Sequence, residues 1–190
     1  MIFTSRTVLS IIAGVLLSFV IVPASDSKTQ GDDLSQIIAA FVYQISKFVT
    51  WPDAKVNIQN TPLKLCVLAH GEANLLQQFS KLTSKKAQGR TIRVLSFRNK
   101  QTLYDHVQVE GACHILFTPN GEWNEFTLNE IRTLRESTLL IGKSRHFLES
   151  GGMMSLIQVN SKMKIFLNPE SMEQSQIKLE SRLRALTRTL

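Results

Sequence analysis

Apolar positions along the chain repeat with two periods, and the places where the period changes divide it into elements. Ile37, Ile38, Phe41, Val42, Ile45, Phe48 and Val49 recur at steps of three and four, the spacing of one helix face. They predict an amphipathic helix over residues 32–50, with Asp32 and Asp33 at its N-terminus, capping it and complementing its dipole. Trp51-Pro52 ends it, because the residue before a proline is pushed out of helical geometry. An unbroken apolar run over residues 63–69 reads as a buried strand. Residues 72–83 read as a helix, with Leu75, Leu76, Phe79 and Leu82 on one side. Gly89-Arg90 turns the chain into an alternating strand over residues 91–97.

Residues 103–110 fit neither period, and Gly111 closes them. A third buried strand follows over 113–118, stopped at Pro119. Residues 124–136 predict a helix through Phe126, Leu128, Ile131 and Leu134, and 138–142 a short strand. One helical turn over 144–149 leads to Ser150-Gly151-Gly152, read as a turn that needs positive φ. Residues 153–159 and 163–167 predict an antiparallel pair joined at Asn160-Ser161. Pro169 suits the first position of a helix, and Met172, Leu179, Leu183, Leu186 and Leu190 extend an apolar stripe that predicts one long helix over 169–190. Strand and helix alternate through the middle, then a hairpin and a helix close the chain. The fold class is therefore α/β: a single domain with a mixed, mostly parallel sheet, flanking helices, an antiparallel C-terminal hairpin and a long terminal helix. The first and last helices are expected against the same sheet or against each other.

The start of the chain follows neither period. Arg6 precedes a nearly unbroken apolar run over residues 8–22, which ends in Val22-Pro23-Ala24. A basic start, an apolar core and a small residue at the exit are the parts of a secretory signal peptide. The run falls short of the roughly 20 residues that a membrane-spanning helix needs. The expectation is a signal peptide over 1–24, cleaved after Ala24, and an exported, periplasmic domain over 25–190; an uncleaved anchor is the alternative.

Export changes how composition is read. The chain carries 22 basic and 15 acidic residues, a net charge of +7, which in another setting would suggest nucleic acid. No aromatic-and-basic strand of the RNA-binding kind accompanies it, so no nucleic-acid partner is expected. Positive charge also suits anionic lipid or an acidic protein, or a solvated surface with no partner. The two cysteines, Cys66 and Cys113, sit in strand-like runs. Under oxidising conditions an even count suggests a disulfide; two separate buried thiols are the alternative.

Chemistry is sparse. His70, His106, His114 and His146 show no ligand spacing, so no metal site is expected, and His114 reads as a structural residue on a strand. There is no Gly-x-Ser-x-Gly elbow and no Ser-x-x-Lys in a plausible context. Nothing here predicts an enzyme or a cofactor.

Several segments together resemble the YfiR family of exported bacterial proteins. They are Phe41-Val42-Tyr43 leading through Lys47-Phe48-Val49 to Trp51-Pro52, Leu65-Cys66-Val67-Leu68, Gly89-Arg90, and Cys113-His114-Ile115-Leu116-Phe117. Thr138-Leu139-Leu140-Ile141-Gly142, Phe147, Gly151-Gly152-Met153 and Lys164-Ile165-Phe166-Leu167-Asn168 follow in order. The resemblance implies a periplasmic regulator without catalysis. Such a protein binds the periplasmic sensor part of an inner-membrane diguanylate cyclase and represses it, lowering cyclic-di-GMP signalling and biofilm formation. It also implies release by stress or by an outer-membrane lipoprotein, a possible homodimer, and a bridge between Cys66 and Cys113. Trp51, Phe147, Met153 and Met154 are the candidate partner-binding residues, as apolar groups near loops; each could instead pack in the core. Two other readings stay open: a small-molecule-binding sensor domain with its cleft at the sheet edge, and an envelope hydrolase.

Overall fold

The computed structural model describes residues 27–52, 61–119 and 121–189. The expected signal peptide and the cleavage point after Ala24 lie outside the described residues. The first helix, α1 (Ser27–Ser46), begins and ends earlier than its apolar stripe suggests. Nothing in Ser27-Lys28-Thr29-Gln30 breaks a helix, so Asp33 lies inside α1 rather than at its start. At the other end the Lys47 N–H bonds to the Gln44 carbonyl at 3.1 Å and the Phe48 N–H to that of Ile45 at 3.0 Å, a tightened last turn. Strand β1 (Val49–Thr50) follows at once, so the helix stops before Trp51-Pro52.

The middle of the chain alternates strand and helix: β2 (Leu63–Leu68), α2 (Ala73–Ser80) and β4 (Arg90–Phe97) stand where expected, β5 (Ile115–Thr118) starts two residues late, and β3 (Lys86–Ala87) and α3 (Lys100–Glu110) are additions. Next come a 3-10 turn (Gly121–Glu125), α4 (Leu128–Arg135), β6 (Leu139–Gly142) and α5 (Arg145–Glu149). The ambiguous residues 103–110 belong to α3. Asn99 starts that helix, its side chain accepting the Thr102 N–H at 2.9 Å, and Gly111 ends it at φ 79. A capping box between Thr127 and Glu130 starts α4.

Strands β7 (Met154–Val159) and β8 (Lys162–Leu167) form the expected antiparallel pair. Asn160 and Ser161 turn it with φ of 48 and 60, as a tight hairpin requires. The expected long terminal helix over 169–190 is not what the chain forms. It breaks into α6 (Pro169–Glu173), β9 (Lys178–Leu179), α7 (Ser181–Arg184) and β10 (Thr187–Thr189). The break has a local cause at Ser175. Its hydroxyl donates to the Met172 carbonyl at 2.7 Å and accepts the Ile177 N–H at 3.3 Å, giving the backbone an alternative to helix. Strand β9 then pairs antiparallel with β1, and β10 joins β8 in parallel. Tertiary pairing overrides a weak helical preference here.

The main sheet has eight strands among the described residues, in the order β10-β8-β7-β6-β5-β2-β4-β3. Pairing is parallel from β4 through β2, β5 and β6 to β7, so the sheet is mostly parallel, as its apolar strands predict. Within that parallel set the order is the flavodoxin-like doubly wound one, which reverses between β2 and β5. Register shows which helix covers which face. Val67 pairs with Ser96 and Phe117, while Leu68 pairs with Phe97; paired residues share a face, and neighbours along a strand do not. Phe117 meets Phe79 of α2 with ring centres 5.1 Å apart. Phe97 meets His106 of α3 at 5.2 Å. Helices α2 and α3 therefore lie on opposite faces. Helix α1 packs against α2 and buries Ile38, Val42 and Ile45.

Candidate functional site

Cys66 and Cys113 are bridged, with Cα atoms 5.9 Å apart. Adjacency of β2 and β5 makes this possible, since Cys66 lies opposite Leu116 and Cys113 sits just ahead of the ladder. A buried polar corner adjoins the bridge. The Trp51 Nε1–H donates to the His114 carbonyl at 2.8 Å, and the two rings meet edge to face at 5.6 Å. The Lys64 N–H donates to His114 Nδ1 at 3.1 Å, and an Arg90 guanidinium nitrogen lies 2.7 Å from Nε2. Arg90 also donates to the Thr61 carbonyl at 2.7 Å and that of Pro62 at 3.2 Å. Three strand starts are tied together here, which is the structural role expected of His114.

The four candidate partner-binding residues do not form a surface. Trp51 is 6% exposed, Phe147 3%, and Met153 and Met154 0%. Trp51 is consumed by the His114 corner. Phe147 lies over Gly142 and Gly152, where a Cβ would collide with its ring, and stacks on Trp123 with ring centres 4.6 Å apart. The Met153 sulfur accepts the Leu140 N–H at 3.4 Å, and Met154 lies between Ile141 and Leu167 in the sheet. Their expected exposure near loops is thus corrected: the loops are tight, and the side chains turn inward. Gly151, at φ 91, is the positive-φ turn that the glycine pair predicts. Gly152 serves a different need, room for Phe147.

The candidate site lies instead at the carboxyl ends of the parallel strands, one strand over from the β2–β5 reversal where doubly wound sheets hold their ligands. Because α2 and α3 leave on opposite faces, the chain exits of β2 and β4 diverge. They open a crevice of about 470 Å³ lined by Ala69, His70, Gly71, Leu76, Ser96, Phe97 and Arg98. Beside it, the His70 N–H donates to Glu122 Oε1 at 3.1 Å, and Lys143 pairs with Glu72 at 3.5 Å. Thr118 Oγ1 and Glu122 Oε2 are buried without a hydrogen-bond partner. Sequence reasoning allowed for a cleft at the sheet edge but named none of these residues, because they come from four separate loops.

Two titratable groups elsewhere are shifted. Burial, and after it the Glu130 carboxylate beside its hydroxyl, pushes Tyr104 up to about 12. Glu130 is held below the ordinary carboxylate range, first by the Thr127 N–H and further by Lys100. Neither sits with a nucleophile. Among the described residues, the serine–histidine contact with a third polar group is Ser150 Oγ, 3.4 Å from His146 Nε2. Asn124 meets that same nitrogen at 3.1 Å, so nothing in the contact orients the ring from its other nitrogen as a triad requires. No group of metal-holding side chains converges among the described residues. None of their helices is long and apolar enough to cross a membrane.

These features define a doubly wound α/β domain, stapled by one disulfide, with its open crevice at the carboxyl edge of the sheet. The family model described as YfiR/HmsC-like matches residues 35–188. The chain belongs to that family. No curated protein matches it.

Proposed function

We propose that this protein is an exported regulator that binds the periplasmic sensor part of an inner-membrane diguanylate cyclase and holds it inactive. Membership of the YfiR/HmsC-like family over residues 35–188 carries the reading. The secretory pattern of residues 1–24 and the bridge between Cys66 and Cys113 support it, because both suit an oxidising compartment. The protein acts by binding, without turnover. Moving a cyclase from almost fully active to almost fully inactive requires the repressor to prefer the inactive state by about 5.5 kcal/mol. Trp51, Phe147, Met153 and Met154 act in this reading from beneath the surface, by fixing the loops that a partner meets. An outer-membrane lipoprotein that sequesters the repressor, or a second copy of the chain, would compete for the same surface.

The test is capture from detergent-solubilised inner membranes with the oxidised protein as bait, followed by mass spectrometry and a cyclic-di-GMP assay. Specific capture of a cyclase with a periplasmic domain, and a rise in cyclic-di-GMP when the repressor is deleted, are the expected results. Unchanged cyclic-di-GMP on deletion would sink the reading.

A further inference from the structure

The crevice at the carboxyl ends of β2 and β4 has a composition that the regulator reading does not use. Its volume of about 470 Å³ falls within the roughly 300–1,000 Å³ range of small-molecule sites. The grooves around Ser171 and around Met172 are smaller, about 200 and 250 Å³. In the first of these Arg135 is already engaged by Ser171 and Gln174.

Charge in the large crevice is one-sided. Arg98 makes no ion pair or hydrogen bond among the described residues, and neither does the imidazole of His70. Two acids lie beside the crevice: Glu72 pairs with Lys143, and Glu122 accepts the His70 N–H through Oε1, while its Oε2 has no hydrogen-bond partner. A guanidinium presents a planar fork of donors that matches a carboxylate or a phosphate. Beside these groups stand two apolar walls, Leu76 of α2 and the half-buried ring of Phe97. That ring is backed by His106, so the wall is held in place before any ligand arrives. Ser96, one residue earlier on β4 and so on the opposite face from that ring, adds a hydroxyl to the lining.

We propose that this crevice binds a small organic anion, a carboxylate or phosphate monoester carrying an apolar group. Arg98 and His70 meet the charge, Ser96 adds a hydrogen bond, and Leu76 and Phe97 cover the apolar part. The site stands independently of the cyclase reading, since it rests on the crevice alone.

The test measures melting temperature and calorimetric binding of the oxidised protein with benzoate, phenyl phosphate, inorganic phosphate and phenol. A saturable rise in melting temperature with benzoate or phenyl phosphate is expected, because a ligand that binds only the folded state stabilises it. Response to one and not the other tells carboxylate from phosphate. Arg98→Glu should weaken that binding by about tenfold or more, given the strength of charge-assisted pairs. Arg98 is exposed, so the variant should fold, which its circular dichroism checks. Arg188→Glu makes the same charge change on β10 and should bind as the natural protein does. The proposal is overturned if neither aromatic anion gives a saturable shift, or if Arg98→Glu binds as well as the natural chain. Equal stabilisation by phenol, or by inorganic phosphate, would also overturn it.

Discussion

Phe147 fills space that two glycines leave open, and the fit is tight on both sides. A Cβ on Gly142 or Gly152 would overlap its ring, and neither glycine needs positive φ. Gly152→Ala should therefore destabilise by about 1–3 kcal/mol through overpacking, read as a lower urea midpoint with an unchanged slope. At Tyr104 the effect runs through pH. With its folded value raised to about 12 from 10.0, the folded protein keeps a proton that the unfolded chain releases first. Stability from this group is thus complete below pH 10 and lost as pH climbs toward 12. Tyr104→Phe should flatten that alkaline loss in urea melts at stepped pH. These side chains also show the limit of reading residues in one dimension. His114 and the two cysteines were legible because their strands were. Phe147, Met153 and Met154 left surface and core both open because they flank a glycine turn, and the turn packs them into the core.

Most elements in the middle of the chain were legible from their apolar period, and α3 was not, because its residues follow no period and its start is marked only by the Asn99 cap. The Thr127–Glu130 box is another local signal, and it carries two expectations. Thr127→Ala should cost about 1 kcal/mol, the usual worth of a cap, measured by chemical denaturation. Glu130 is held low by the Thr127 N–H first and by Lys100 after it. Its stabilisation is therefore present above the ordinary value of 4.5 and is lost as pH falls below it. Glu130→Gln should flatten that acid limb. The C-terminal segment was illegible for a physical reason. Its apolar stripe satisfies a helix and two edge strands equally well, and pairing of β9 with β1 and of β10 with β8 depends on elements more than a dozen residues away. Ser175 was the available clue, since a serine competes with the helix for its own backbone.

For the whole molecule, alternation of strand and helix announced a parallel α/β sheet, while strand order could not be read. Which neighbour a strand chooses is set by the crossovers, and those place β4 outside β2 and so create the carboxyl-edge crevice. The bridge ties the centre of that order. In the chain-entropy account a loop of its size, 47 residues of separation, contributes roughly 4 kcal/mol at most. The Cys66→Ala, Cys113→Ala double variant should remain folded and lose up to about that much in denaturation, because β2 pairs with β5 from Leu65–Ile115 to Val67–Phe117 and each is held by its other neighbour, β4 and β6.

The same bridge makes a closed covalent ring of everything between the two cysteines, and α2, β3, β4 and α3 all lie on it. A protease that clips the exposed linker at Lys85 opens the backbone without parting the protein. Such a cleaved molecule runs as one species on a non-reducing gel and as two after thiol treatment. A survey of its turnover made only under oxidising conditions would count broken copies as whole.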